Sequence, residues 1–246
     1  MFVSAGEARQ RWFLSRCRAS EDTPQERSLR SEDSASGVMS KLYDWLAVAD
    51  TCQKSDVIFV LAGREQRKHF AFKLFREGWA PTLLISVGRF EIRRFGTLGL
   101  SSSLDLPAVA ATTEPRLRHY FVTVRAGETE VQKIPFSHFG TLREIRAFSN
   151  WVREHPAVRS VMIVSSGFHL KRVRMCCRRL MPEGVKLCFV SAAEEGRFFF
   201  THWWRHASAR KLVLSEVVKL AAYKVLCRIR TTGHAFTEAG TPKIGA

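Results

Sequence analysis

The chain has 246 residues, with 39 Lys+Arg against 23 Asp+Glu, a formal charge of +16 and a pI near 10.2. A hydrophobic share of 46% can fill a buried core, so wholesale disorder is excluded, and the length suits one large domain or two small ones. No apolar stretch approaches the ~18 residues that span a bilayer, and Arg9, Arg11, Arg16 and Arg18 break up the start without an apolar h-region, so neither a transmembrane helix nor a secretory signal is expected.

Residues 15–38 are rich in Ser, Glu, Asp and Arg with almost nothing apolar, and residues 1–38 read as a disordered N-terminal extension. Met39 follows as an alternative start, and Lys41 to Ala49 reads as a helix. Val57-Ile58-Phe59-Val60-Leu61 is a continuous apolar run ending in Ala62-Gly63, as in a strand covered on both faces. Gln66 to Glu77 reads as a helix with Phe70, Ala71, Leu74 and Phe75 on its buried stripe. Gly78 suits its C-cap, and Pro81 prevents continuation. Thr82 to Ser86 is a second strand, followed by Val87-Gly88. Residues 90–118 read as loop around a short helix. Tyr120 to Val124 and Val131 to Ile134, separated by a turn at Gly127, resemble a hairpin beside or leading into the main sheet. Leu142, Ile145, Phe148 and Val152 recur at helical spacing before Pro156. Val161 to Val164 is another buried strand, ending in Ser165-Ser166-Gly167. A basic helix runs to about Leu180, Leu187 to Val190 is a strand, and a helix from about Ala209 to Arg228 closes the fold. Alternating strands and helices imply a parallel α/β sheet with helices on both faces. One folded domain over residues 39–230 and a flexible tail over 231–246 are the expected organisation.

The basic surplus is uneven. Residues 168–230 carry 14 basic and 4 acidic groups, while residues 1–38 carry six of each. Such a field suits a small anionic ligand, a nucleic acid or an anionic lipid surface, or is a soluble basic surface with no dedicated partner. The six cysteines, Cys17, Cys52, Cys176, Cys177, Cys188 and Cys227, form no C-x-x-C and no zinc spacing with His. They read as small apolar residues of a reducing compartment, and a metal site is not expected.

In open parallel sheets ligands sit beyond the carboxyl ends of the strands. Three strands end in small or hydroxyl residues here: Gly63, Ser86 with Gly88, and Ser165-Ser166-Gly167. Each leads to a loop or helix N-terminus whose free N–H groups can hold an anion. Neither G-x-G-x-x-G nor a Walker loop is present. The block from Ser165 to Arg172 joins two hydroxyls, a Gly, His169 in a first helical turn and Arg172 three residues later on the same face. Near a positive helix end His169 resists protonation and can serve as a neutral base or donor. Arg67 can clamp a phosphate or carboxylate bidentately, or is a surface arginine, and the same holds for Arg89. Thr141-x-x-Glu144 before an apolar helix reads as a capping box, although a Thr there can also face a pocket. Glu216 falls on an otherwise apolar helix face, so it either pairs with an Arg or works as a general acid or base. Trp203-Trp204 reads as core or a pocket wall. Lys211, Lys219, Lys224 and Arg228 make the last helix basic and amphipathic, open to a membrane-surface contact or to packing on the sheet.

In order, Val57 to Gly63, Arg67 to Pro81, Leu84-Ile85-Ser86 with Gly88, Thr141-x-x-Glu144, Ser165-Ser166 with His169 and Arg172, and Trp203-Trp204 with Glu216 and Lys219 resemble the bacterial YdcF/SanA/ElyC family over about residues 56–228. The resemblance implies a Rossmann-like three-layer domain with its pocket lined by these residues, a setting in cell-envelope or exopolysaccharide biology, and S-adenosylmethionine as a candidate cofactor. It departs at Val87-Gly88-Arg89, where the family has a glycine pair and an acid soon after, Glu91 being the nearest here. A helix before the third strand also looks replaced by loop and hairpin. The sequence therefore points to a small anionic, phosphate- or nucleotide-containing ligand. In this reading Arg67 and Arg172 are clamps, Ser165 and Ser166 donors, His169 an acid or base, and Glu216 its orienting or neutralising partner. A non-catalytic nucleic-acid module and a peripheral membrane scaffold are the alternatives. The expected location is the cytoplasm, with or without membrane association.

Overall fold

The computed structural model describes residues 34–88, 91–92, 111–113, 119–126, 128–134, 140–192 and 203–229. Helix α1 is Ser34–Leu46, followed by β1 Val57–Val60, α2 Glu65–Arg76 and β2 Thr82–Val87. The hairpin β3 His119–Arg125 and β4 Glu128–Ile134 leads to α3 Gly140–Glu154. Then come β5 Ser160–Ser165, α4 Gly167–Leu180, β6 Lys186–Ser191, a 3-10 turn at Trp203–Arg205 and α5 Ala207–Ile229. The strands form one six-stranded mixed sheet in the order β4-β3-β2-β1-β5-β6. Its centre is parallel, with Val60 opposite both Ile85 and Val164. The hairpin extends it antiparallel, with Leu84 opposite Thr123 and Val122 opposite Val131. This is the α/β sandwich the sequence suggests.

The apolar runs become central strands because both of their faces are covered. Ile58, Val60, Leu83, Ile85, Met162 and Val164 pack on one side with Ala71, Phe72 and Leu74 of α2. Val57, Phe59, Leu61, Leu84, Val161 and Ile163 pack on the other with α3 and α4. There Phe59 stacks on Phe148 at 4.0 Å between ring centroids. A third cluster joins Leu46 of α1 to Trp203 and to Ala209, Val213 and Leu220 of α5. Trp203 is core. The chain runs from β1 to β2 through α2 on one face and from β5 to β6 through α4 on the other. The connections therefore diverge between β1 and β5, the switch point where ligands sit in such sheets.

Two local expectations change. The first helix begins at Ser34, inside the stretch read as disordered, and stops at Leu46 rather than Ala49. Asp33 and Ser34 are both good N-cap residue types, a local signal that the polar composition hides. The chain leaves the helix because Asp50 is tied to β6. Its N–H donates to Phe189 O at 2.7 Å, and its carboxylate accepts from Phe189 N at 3.0 Å and from Arg174. Most of the 90–118 loop, with its short helix, lies outside the described residues, as do residues 1–33 and the tail 231–246.

Candidate functional site

Among the described residues, every candidate leaves the C-terminal edge of β1, β2 or β5 or reaches that edge from a helix. Ser165 ends β5, and Ser166 is the residue before α4. Strand alternation puts Ser86, Leu61 and Ser165 in one row across β2, β1 and β5, on the α3/α4 face. The turn after β1 holds Gly63 at φ +129, a backbone conformation that L side chains rarely adopt. A Cβ there would also lie 2.9 Å from Arg67 Nη1, so glycine lets the guanidinium fold back over the strand end.

From α2, Arg67 donates through Nε to Ser166 Oγ at 2.8 Å and through Nη1 to Ala62 O at 2.9 Å. The Ser166 hydroxyl is thus engaged by Arg67, and it makes no side-chain cap bond to α4. From α4, Arg172 holds Glu216 in a two-pronged pair, Nε to Oε2 at 3.0 Å and Nη2 to Oε1 at 3.1 Å. Its Nη1 donates to Thr141 Oγ1 at 2.8 Å, and its guanidinium lies 4.9 Å from the Tyr223 ring centroid. Lys219 adds a third cationic contact to Glu216 at 3.0 Å. Burial alone would raise the Glu216 carboxyl, but its ion pair with Arg172 and the Lys219 contact outweigh it and hold it well below the usual carboxylate range. Glu216 is therefore an ionised counter-charge at neutral pH. Of the two roles open to it, pairing is the one its contacts support.

His169 Nδ1 lies 2.8 Å from Arg172 Nη2 and 3.3 Å from Glu216 Oε2. A guanidinium has no acceptor, so the nearer contact uses the Nδ1 lone pair and puts the ring proton on Nε2. Burial, with Arg172 and Arg67 close by, lowers the ring to about 3. At neutral pH His169 is an uncharged N–H donor.

The β2 side differs. Thr141 and Glu144 do not form the expected capping box. Thr141 Oγ1 serves Arg172, and Glu144 Oε1 accepts the Ala62 N–H at 2.6 Å across 82 residues of sequence. The motif is spent on tertiary contacts because α3 starts directly over the sheet edge, where Ala62 N–H and Arg172 both need acceptors. Glu144 also bonds Ser86, whose Oγ is 2.8 Å from His119 Nε2. Burial pushes the Glu144 carboxyl up to about 7 against the opposing pull of Ser86 and the Ala62 N–H. Burial, with Lys68 nearby, lowers His119 to about 4. Glu91 bridges two strand ends, accepting from Gly63 N and Gly88 N, each at 2.7 Å, and from Lys68.

Gly63, Arg67, Ser86, Gly88, Thr141, Ser165, Ser166, His169, Arg172 and Glu216 are thus all set along one sheet edge, while Arg89 lies outside the described residues. Sequence reasoning passed over Lys68 and His119 as site residues, read Glu144 as a cap from its spacing and as pocket lining only through the resemblance, and noted Glu91 only as a nearby acid. Among the described residues three buried polar atoms have no hydrogen-bond partner, Tyr120 OH, Arg174 Nε and Ser165 Oγ, and of these Ser165 Oγ belongs to the candidate residues. Among the described residues no cluster of His, Cys, Asp and Glu could hold a metal ion. No protein-family model, curated protein or solved structure matches the chain. No helix among the described residues is long and apolar enough to cross a membrane.

Proposed function

We propose that this chain is a YdcF-like protein that binds a small anionic ligand, carrying a phosphate group as a nucleotide does, at the C-terminal ends of β1, β2 and β5. One observation carries the reading. Arg67 and Arg172 come from helices on opposite faces of the sheet, are each 7% exposed, and both bear on the His169 ring, while on the same sheet edge the Ser165 hydroxyl is buried with no partner. Arg172 spends Nε and Nη2 on Glu216 and His169 and Nη1 on Thr141, so it contributes positive charge to the edge rather than a bidentate clamp, and the clamp role falls to Arg67. The first turn of α4 adds backbone N–H groups, and His169 adds Nε2–H, so the β5 side offers donors beside the paired Glu216 carboxylate. Glu144 stands on the other side as a carboxyl that burial pushes up to about 7. In any reaction on the bound ligand it is the group suited to give or take a proton, with His169 as donor and Glu216 as the charge that orients Arg172. Cell-envelope or polysaccharide metabolism is the setting this resemblance favours.

The test is a thermal-shift panel of nucleotides, sugar nucleotides, polyprenyl phosphates and S-adenosylmethionine. It is run alongside mass spectrometry of whatever co-purifies with the protein. A phosphate-bearing member is expected to raise the Tm by mass action. Arg67→Met and His169→Ala are expected to abolish that rise while keeping the native circular dichroism. A panel in which nothing binds, in which only the phosphate-free S-adenosylmethionine binds, or in which Arg67→Met binds unchanged overturns the reading.

A further inference from the structure

Helix α5 is apolar on two sides. Its inner side packs Ala209, Val213 and Leu220 on the core and presents Glu216 to the site. Its outer side leaves Leu214, Val218 and Val225 at 51%, 69% and 55% exposure, with Ala221 exposed among them. The spacing 214, 218, 221, 225 is one helix face. Among the described residues, the exposed large apolar side chains are these three and Trp45, so the exposure is concentrated on this stripe rather than scattered. Exposed Arg210 and Lys224 lie on one side of the stripe and Lys211 on the other, while Lys219 is turned towards Glu216. The only acid on the helix, Glu216, is buried and turned inward.

From this we infer that α5 docks on an anionic lipid surface, lying in the interface with its stripe in the acyl boundary and its basic residues at the headgroups. Charge decides against a second copy: stripe-on-stripe pairing would bring two sets of Lys211 and Lys224 together on chains of +16 each. Shape decides against a protein groove. The stripe is a ridge of small aliphatic side chains with no aromatic anchor, and protein hot spots are built on aromatic and Arg anchors in pockets. A bilayer needs no such complementarity. The helix lies on the membrane and does not cross it. The inference is independent of what the strand-end site binds.

The experiment is flotation of the full chain with phosphatidylcholine vesicles, with and without phosphatidylglycerol. The protein is expected to float only with the anionic vesicles and to be released as salt shortens the screening length at about 0.5 M KCl. Leu214→Glu with Val218→Glu is expected to lower the bound fraction at least ~10-fold. Leu214→Ser with Val218→Ser, which leaves the charge alone, should cause a smaller loss. Both sites are exposed, so unchanged circular dichroism checks the fold. Equal flotation with neutral vesicles, no flotation at all, or undiminished binding by the Glu pair overturns the inference. So does light scattering that finds a dimer broken by the same substitutions.

Discussion

Two serines in one row of the sheet are used in opposite ways. Ser86, at the end of β2, is fully buried and engaged by both His119 and Glu144. Ser165, at the end of β5, is as deeply buried and its hydroxyl has no partner. The surroundings diverge with them. On the β5 side Arg172, Lys219 and His169 surround a carboxylate held near 2, so its charges are fixed across the physiological range. On the β2 side the carboxyl of Glu144 titrates near 7. The two carboxyls expose similarly little surface, but Glu144 lies deeper in the protein, and that deeper burial contributes to raising it. The second difference is whether cations contact the carboxylate directly: Arg172 and Lys219 do so at Glu216, whereas Glu144 is held by a backbone N–H and a serine.

The strongest way to break this contrast is to remove the counter-charge. Glu216→Ala leaves Arg172 buried without its carboxylate and is expected to cost about 3–5 kcal/mol of unfolding free energy in urea. Glu216→Gln keeps an acceptor for Arg172 and should cost less. Equal losses for the two would show that the ion pair contributes nothing beyond its hydrogen bonds.

Next in size is the pH dependence. Glu144 titrates near 4.5 when unfolded and near 7 in the native protein. Below 4.5 both states hold the proton and the group costs nothing. Between 4.5 and 7 the unfolded chain ionises first, so native stability falls with rising pH. Glu216 has the opposite sign: its stabilisation is present above 4.5 and is lost as pH falls towards 2. The advantage of Glu144→Gln over the parent protein should therefore grow by about 3 kcal/mol between pH 4.5 and 7 and stay flat above that. Denaturant melts at successive pH values check it. An advantage independent of pH would place the native Glu144 pKa at its ordinary value. His119, lowered to about 4, adds a loss as pH falls below 6.5 that both proteins share, so the difference between them isolates Glu144.

Gly63→Ala comes third, at about 2 kcal/mol, because a side chain at φ +129 is strained and its Cβ meets Arg67 Nη1 at 2.9 Å. If the substitution displaces Arg67, it should weaken any anion binding together with stability. A loss of stability with unchanged binding would separate Arg67 from the ligand.

The sheet was legible because its central strands are buried on both faces, which writes continuous apolar runs such as Val57 to Leu61 and Val161 to Val164 into the chain. The residues of the β5 edge were legible too, since His169 and Arg172 sit one helical turn apart and Glu216 interrupts an apolar face. The β2 edge was not. Thr141 and Glu144 fit a local capping motif, and no local pattern shows that Ala62, 82 residues away, claims the carboxylate instead. His119 sits at the start of an ordinary strand, and only the pairing of β3 with β2 brings it to Ser86. Tertiary partners chosen by strand order leave no periodic trace in the sequence.

The smallest expected effects separate the two serines themselves. Ser86→Ala removes a hydroxyl that His119 and Glu144 both use and leaves buried groups short of a partner, a loss of about 1–3 kcal/mol. Ser165→Ala removes a hydroxyl whose burial has no compensating bond, so stability should stay level or rise by up to about 1 kcal/mol. The same change deletes a donor from the side of the sheet where Arg67 and Arg172 converge, so binding of a phosphate-bearing ligand should weaken even as the Tm of the free protein holds. Stability and binding then move apart at Ser165, a pattern expected where an unsatisfied polar group is kept for a ligand rather than for the fold. If Ser165→Ala instead destabilises the free protein as Ser86→Ala does, its hydroxyl has a structural partner, and the distinction between the two strand ends fails at its simplest point.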